Sequence, residues 1–232
     1  MKATIFTAFL FICMQGLQGT EILTVLGTGE AGFSGDGGPA TQAKIRGPFG
    51  VVRGPDGCFY VCDTYNHCMR KIDANGVVTT VAGKGGEKGY AGDGGLATEA
   101  LLNEPYEVRF DQAGDMYFVE MMNHVIRKVD VKTGKIYTIA GTGEKGFSGD
   151  GGPARKAKFN RPHSIQFGPK GNLFVCDIGN HRIRIIDMKT RTISTFSGTG
   201  KKAKTKDGGK IPEVDLNGPR AIDVVGNTIW LA

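Results

Sequence analysis

A repeat of 57 residues limits the possible folds of this chain more than any other feature. The segment Gly-Asp-Gly-Gly begins at Gly35, at Gly92 and at Gly149, and a shorter form begins at Asp207. A proline keeps the same spacing in all four repeats, and an Asn-His pair keeps it in three: Pro48, Pro105, Pro162 and Pro219; Asn66-His67, Asn123-His124 and Asn180-His181. Self-similarity at a fixed period indicates one array of stacked units.

Each repeat contains four short segments of β-branched and aromatic residues between turns, which predicts four strands, here named A to D. In the first repeat they are 49–53, 58–62, 68–72 and 77–82. A four-stranded antiparallel meander cannot bury both faces alone, so the copies must stack. Radial stacking gives a β-propeller and linear stacking a β-solenoid. The length of the repeat and hairpin turns such as Pro55-Asp56-Gly57 favour an all-β propeller of four-stranded antiparallel blades.

The repeat predicts about three and a half blades. Residues 21–26 match strand D of the later repeats, although no strand A, B or C precedes them, and Trp230 lies inside strand B of the fourth unit. In a closed ring the first strand D completes the last blade and removes the exposed edges. This strand has no partner in the chain, so we expect the sequence to be part of a longer product.

Residues 1–19 read as a secretory signal peptide, with Lys2, an apolar run from Ala3 to Met14 and a small-residue exit at Gly19. The alternative is a buried first strand or helix. We therefore divide the chain into a signal peptide, 1–19, and a partial propeller, 20–232. Export implies a periplasmic, extracellular or cell-surface protein without a transmembrane segment in the mature chain.

The charge balance does not indicate a nucleic-acid partner. The net charge of +6 is modest and dispersed, apart from one dense cluster in the last loop: Lys201, Lys202, Lys204 and Lys206. A nucleic-acid binder would need a basic stripe with interleaved aromatic residues. We interpret the lysines as a solvated loop, with a role in surface assembly as the alternative.

The cysteines left after the predicted signal are Cys58, Cys62, Cys68 and Cys176, and none forms a Cys-x-x-Cys pair. Cys62 and Cys68 bracket one hairpin connection, so a disulfide between them is an alternative in an exported protein. Buried small apolar thiols are the default interpretation.

Residues that are identical in every repeat favour a structural role. We expect the Asn-His pairs to stabilise turns, because equivalent histidines on neighbouring blades are too far apart to share one metal ion. Asp63, Glu120 and Asp177 are expected to cap the turn after strand B. Asp36 and its copies are expected to accept backbone N–H groups, with calcium binding as the alternative.

Positions that change chemical type at the start of strand A are the candidates for ligand binding, because this strand lines the axial channel of a propeller. Three aligned positions vary, namely Phe49, Tyr106, His163 and Arg220; Gly50, Glu107, Ser164 and Ala221; Val52, Arg109, Gln166 and Asp223. The predicted binding site at the channel mouth comprises Tyr106, Glu107, Arg109, His163, Gln166, Arg220 and Asp223. The alternative is ordinary wet channel lining.

The motifs resemble those of NHL-repeat propellers, particularly exported bacterial members and the teneurin propeller. The matching segments are Thr-Val-Ala-Gly, Gly-Phe-Ser-Gly-Asp-Gly-Gly-Pro-Ala and Asp-Thr-Tyr-Asn-His-x-x-Arg-Lys-Ile, which lie within residues 21–232. The resemblance implies six blades in the complete ring. It departs from the pattern in the fourth loop, where the lysine cluster replaces Gly-Phe-Ser.

Two functions remain open. The first is an exported scaffold that binds a protein, a small molecule or a carbohydrate, with no cofactor and no evident chemistry. No nucleophile and base recur together, and no phosphate-binding loop is present. The alternative, implied by related lactonase and lyase propellers, is an enzyme with an axial divalent ion such as Ca²⁺ or Zn²⁺. Its candidate ligands are Glu107, His163, Gln166 and Asp223.

Overall fold

A computed structural model describes residues 22–232 of the protein. They form three four-stranded antiparallel sheets and one two-stranded sheet, each a simple meander. Blade 1 contains β1 (Pro48–Arg53), β2 (Phe59–Asp63), β3 (Cys68–Ile72) and β4 (Val78–Ala82). Blade 2 contains β5 (Pro105–Phe110), β6 (Met116–Glu120), β7 (Val125–Val129) and β8 (Ile136–Ala140). Blade 3 contains β9 (Pro162–Phe167), β10 (Leu173–Asp177), β11 (Arg182–Ile186) and β12 (Ile193–Ser197). Blade 4 contains β13 (Ile222–Val225) and β14 (Thr228–Leu231).

The hydrophobic core lies between the blades. One cluster joins Cys62 and Met69 of blade 1 to Val108 and Phe118 of blade 2. Corresponding clusters join blades 2 and 3 and blades 3 and 4. The inner strands β1, β5, β9 and β13 are neighbours around the axis. The described residues therefore form about three and a half blades of a β-propeller, which confirms the predicted fold class.

The connections separate into two faces. The loop face carries the B-to-C connections and the long D-to-A loops, of which those before blades 1, 2 and 3 contain a short 3₁₀ turn (Ala40–Gln42, Ala97–Glu99, Ala154–Lys156). The turn face carries the short A-to-B and C-to-D turns. This division places the start of every inner strand on the loop face, as predicted.

Some boundaries differ from the prediction. Strand C has the predicted bounds in all three complete blades, whereas strand B begins one residue later and includes the acid at its end, because Asp63 pairs with Cys68 across the hairpin. Residues 22–26 do not form the predicted strand D. A strand needs a hydrogen-bonded neighbour, and the described residues offer none there, so Leu26 packs instead against the core of blade 1.

The four cysteines among residues 22–232 are free thiols. Cys62 lies opposite Met69, and Cys68 lies opposite Asp63, so the two cysteines are not partners across the hairpin. The disulfide alternative is therefore wrong. Cys62, Cys68 and Cys176 are fully buried, and burial raises the pKa of each thiol. They behave as small core residues.

Two predictions about membranes and export concern different parts of the chain. Among residues 22–232, no helix has the length and apolar character needed to cross a bilayer. The predicted signal peptide, 1–19, lies outside the described residues.

Candidate functional site

The first variable position of the inner strands forms a row of rings at the loop-face mouth of the channel. The Phe49 ring stacks on Tyr106 with centroids 4.1 Å apart, and Tyr106 packs against the imidazole of His163, also at 4.1 Å. We call Phe49, Tyr106 and His163 the aromatic row. The radial packing of the blades produces it, since aligned residues of adjacent inner strands become neighbours. The channel mouth thus carries a continuous stack of rings, in which Tyr106 is held between Phe49 and His163.

One end of the aromatic row meets blade 4. The Nδ1 atom of His163 lies 2.8 Å from the carbonyl oxygen of Arg220, so Nδ1 must carry the donated proton. Burial lowers the pKa of His163 and raises that of Tyr106, so both rings are neutral near pH 7. The Nε2 atom of a neutral His163 with this tautomer is a hydrogen-bond acceptor.

At its other end, the aromatic row contacts a residue that the prediction missed. Tyr65, in the B-to-C connection of blade 1, meets Phe49 edge to face at 6.5 Å and is 44% exposed. The aligned residues are Met122 and Gly179, so variation along the repeat was a usable signal. Phe49 occupies the same repeat position as Tyr106, but the predicted site did not include it.

The remaining predicted site residues pair with one another. The Glu107 carboxylate accepts a hydrogen bond from the guanidinium of Arg109 in the same strand. Gln166 donates from Nε2 to Oδ1 of Asp223 at 2.8 Å, from blade 3 to blade 4. Six of the seven predicted residues thus lie in the row or in one of two polar pairs, and the seventh, Arg220, takes part through its backbone carbonyl.

These hydrogen-bonded pairs decide whether the candidate ligands are available to the divalent ion that the alternative function requires. Glu107, His163 and Asp223 each already engage a neighbour, and within residues 22–232 no three His, Cys, Asp or Glu side chains converge as metal ligands require. In this arrangement the four candidate ligands do not fit one axial ion.

A buried ionic cluster lies beneath the loop face of each complete blade. Arg127 is fully buried and donates to Glu120 at 2.8 Å, and it also pairs with Asp93 of the Gly-Asp-Gly-Gly segment at 3.0 Å. Arg70 and Arg184 make the equivalent pairs with Asp36 and Asp63 and with Asp150 and Asp177. These arginines were missed as a group, although they recur with the repeat period.

This cluster corrects two predictions. Asp63, Glu120 and Asp177 do not cap the following turn; Asp63, for example, accepts from the Arg46 amide at 2.8 Å and from Asn66 and Arg70. Asp36 pairs with the Arg70 guanidinium at 2.9 Å instead of with a backbone N–H, whereas its copy Asp93 does accept the backbone N–H of Thr138, at 2.8 Å, as predicted. A buried guanidinium needs a counter-charge more strongly than a turn needs a cap.

Burial has a measurable effect on these acids. It raises the pKa of Glu120 to about 7, even though Arg127 opposes the shift, and it raises that of Asp177 to about 6. These acids lie inside the blades, away from the channel mouth, so their perturbed pKa values reflect the scaffold.

The histidines of the Asn-His pairs connect one blade to the next. The Nδ1 atom of His124 accepts the backbone N–H of Arg161, at the start of blade 3, at 3.1 Å. His67 and His181 make the same bond to Glu104 and Gly218. The predicted turn-stabilising role is thus extended to bonds between blades, whereas Asn123 holds the loop through the Gly89 carbonyl at 2.7 Å.

Comparison with known proteins supports the repeat assignment. The profile of the NHL repeat matches residues 159–186. NHL repeat-containing protein 2 of Bos taurus is 32% identical over 62% of this chain, and the match covers 20% of that protein. Human teneurin-1 is 30% identical over 73% of the chain and 7% of its own length. The chain therefore spans a fifth or less of these relatives.

Solved structures show the same architecture. The auxiliary nutrient binding protein of Bacteroides ovatus matches 79% of the chain and 45% of its own length, with a TM-score of 0.58 and 16% identity. Virginiamycin B lyase of Staphylococcus aureus matches 80% of the chain and 62% of its own length, with a TM-score of 0.51 and 16% identity. These two matches show the fold, and together with the NHL-repeat profile and the similarity to NHL repeat-containing protein 2 and teneurin-1 they show that the chain belongs to the NHL-repeat family of β-propeller proteins.

Proposed function

We propose that this protein is an exported propeller scaffold that binds a ligand at the loop-face mouth of its channel. The aromatic row is the observation that carries this proposal. Its ring edges and the end ring of Phe49, which is 49% exposed, offer apolar surface to a sugar ring or an apolar protein side chain. The acceptor Nε2 of His163 and the exposed Arg220 add polar contacts that orient such a ligand.

The contrast between fixed and variable positions supports the proposal. In every complete blade, the buried arginine, its acids and the asparagine hold the loops of that blade, and the histidine bonds to the next blade. The mouth positions serve no such common purpose, and they differ from blade to blade. The description of the Bacteroides ovatus neighbour as a nutrient binding protein is compatible with this role.

A binding screen with matched variants tests the proposal. Immobilised oligosaccharides and apolar peptides are the probes, and at least one should bind the full-length secreted protein saturably. Tyr106→Ala should then raise the Kd at least about tenfold, since central aromatic residues dominate binding energy. Tyr137→Ala, which removes a 39% exposed tyrosine from the outer strand β8, is the control. Equal binding by both variants, or no binding by the wild type, contradicts the proposal.

Export is tested separately. A secreted protein whose N-terminal sequence begins near residue 20 supports the signal-peptide assignment. Retention of residues 1–19 in the mature protein contradicts it.

The second candidate is a metal-dependent lyase or lactonase, and it rests on the fold that the chain shares with virginiamycin B lyase. To hold an axial ion, Glu107, His163 and Asp223 would have to leave their present partners. Metal analysis of the purified protein separates the two proposals. A tightly held, stoichiometric divalent ion favours the enzyme, and its absence after purification without chelators favours the binding scaffold.

A further inference from the structure

A second candidate site lies on the turn face, opposite the channel mouth. Blades 2 and 3 border an open cavity of about 600 Å³ there, between the A-to-B turns of both blades and the C-to-D turn of blade 3. This volume falls within the range of small-molecule sites. The proposed channel-mouth function does not use this cavity.

The inner wall of this cavity is aromatic. Tyr117 of blade 2 and Phe167 of blade 3 meet edge to face at 5.2 Å with an angle of 85° between their planes. Phe110 and Met188 extend the apolar surface. The Tyr117 hydroxyl donates to Oδ2 of Asp111 at 3.0 Å, which fixes the ring. This corner suits a flat apolar ring.

Arg191, at the rim of the cavity, has an unusual backbone. Its φ is +60°, and the aligned residues of blades 1 and 2 are glycines, Gly76 and Gly134, with φ of +75° and +66°. All three carbonyls accept the same bond, at 2.8 Å, from a backbone N–H of the D-to-A loop that precedes the blade, and this bond keeps the conformation in each blade. Blade 3 therefore holds an arginine where the repeat favours glycine, and such exceptions often mark functional positions.

The charge at the rim is positive and partly unpaired. Lys128, Lys170 and Arg191 line the cavity with one carboxylate, Asp111. Lys128 pairs with Asp115, whereas within residues 22–232 neither Lys170 nor Arg191 pairs with an acid. Asp111 already accepts from Tyr117 and from the amides of Ala113 and Asp115. The corresponding positions in the preceding blade carry Ala113 and Gly134, so this charge is specific to blade 3.

We propose that this cavity binds a flat aromatic molecule that carries a carboxylate. Tyr117 is only 2% exposed and forms the floor, so the ring packs against the half-buried Phe167, Phe110 and Met188. The carboxylate is bound by Arg191, which can donate two parallel hydrogen bonds, with Lys170 beside it. Both requirements must be met by one ligand, because neither the exposed cations nor the apolar corner is selective alone.

The experiment uses 2-naphthoate as the probe, with 2-naphthylmethanol as its neutral match and acetate as the anion without a ring. Binding to the intact protein is followed by NMR titration. We expect saturable binding of 2-naphthoate, with a Kd at least tenfold lower than that of either comparison compound. Added salt should weaken the binding, since the contact is ionic.

Arg191→Gly is the decisive variant, because it restores the residue that the other blades have. It should raise the Kd for 2-naphthoate at least tenfold while the melting temperature stays equal or rises, since glycine adopts a positive φ without strain. Lys189→Ala in the same turn is the control and should leave the Kd unchanged. Tyr106→Ala should also leave it unchanged, which separates this site from the channel mouth.

Three results would overturn the proposal. They are no saturable binding of 2-naphthoate by the wild type, equal affinity for the neutral match, and an unaltered Kd in Arg191→Gly. None of them bears on the function proposed for the channel mouth.

Discussion

Three arginines show how single residues hold this fold together. Arg70, Arg127 and Arg184 are among the largest fully buried side chains, and each lies between an acid from its own blade and the aspartate of its Gly-Asp-Gly-Gly loop. An aromatic ring covers each guanidinium; for Arg127 it is Tyr90, at 5.4 Å. A charge buried in this way is tolerated only while its partners remain.

Arg127→Ala should therefore lower the free energy of unfolding by about 3–5 kcal/mol, because it leaves Glu120 as an uncompensated buried acid. Arg155→Ala is the matched control, since Arg155 also pairs with Asp93, at 3.3 Å, but is 59% exposed. Its loss should be below about 1 kcal/mol. Urea unfolding measures both. Equal losses would mean that burial does not set the strength of these pairs.

The raised pKa of Glu120 predicts that the stability of the protein depends on pH. Its pKa rises from an ordinary value of 4.5 to about 7 in the folded protein, chiefly through burial. Between these values the folded state holds a proton that the unfolded state releases, so stability falls as the pH rises through this window. From pH 5 to pH 8, the wild type should lose about 2–3 kcal/mol more than Glu120→Gln.

The comparison isolates Glu120, since Asp63 and Asp177 titrate in both proteins. Glu120→Asp supplies the acid that stands at those two aligned positions and should retain the pH dependence. Parallel stability curves for the wild type and Glu120→Gln would show that Glu120 does not change protonation in this range.

At the scale of the element, the D-to-A loop explains why its glycines recur. In blade 3, a Cβ atom on Gly149 would lie 2.6 Å from the Cα of Ala157, whereas a Cβ on Gly151 would meet nothing within 4 Å. Both residues have positive φ, +95° and +80°. The two glycines thus share one conformational requirement, and a close backbone approach is added at Gly149.

Gly149→Ala should cost about 2–4 kcal/mol, because overpacking adds to the backbone strain. Gly151→Ala should cost about 1 kcal/mol, from the strain alone. Thermal and urea unfolding of the two variants give the comparison. A loss at Gly151 as large as that at Gly149 would contradict the assignment of the clash.

The strands could be predicted because they depend on local residue pattern, and the period supplied several independent copies of each. The bounds of strand C were right in all three blades. The role of Arg70, Arg127 and Arg184 was missed because a charged residue in a strand normally indicates a solvent-facing position. Their burial depends on the loop that folds over them, which the pattern of the strand does not show.

The candidate site was partly predictable for the same reason. Register alone placed Tyr106, His163 and Arg220 at one mouth. The stacking of the rings and the pairing of Glu107 with Arg109 depend on side-chain rotamers and blade curvature, which the sequence does not display.

At the scale of the whole molecule, stability is shared between neighbouring blades. Three of the four core clusters in the described residues span two consecutive blades, and the histidine bonds join the same pairs. Such an array gains most of its stability from nearest-neighbour interfaces. The side chain at a given repeat position should then contribute more to the free energy of unfolding where a neighbouring blade covers it than where none does.

Val51 and Val108 test this idea, because they occupy one repeat position in blades 1 and 2. Val108 is 0% exposed, beneath blade 1, whereas Val51 is 61% exposed in the part of the chain that the structure describes. Val108→Ala should lower the free energy of unfolding by about 2 kcal/mol, through lost burial and the cavity that remains. Val51→Ala should change it by less than about 0.5 kcal/mol.

Because both substitutions remove the same atoms from an inner strand, the intrinsic strand preference of valine largely cancels in this comparison. Urea unfolding at several protein concentrations completes the test. A cost at Val51 that matched the cost at Val108 would show that the outer face of blade 1 is covered in solution. A cost that grew with protein concentration would identify the covering surface as a second copy of the chain, since only association depends on concentration in this way.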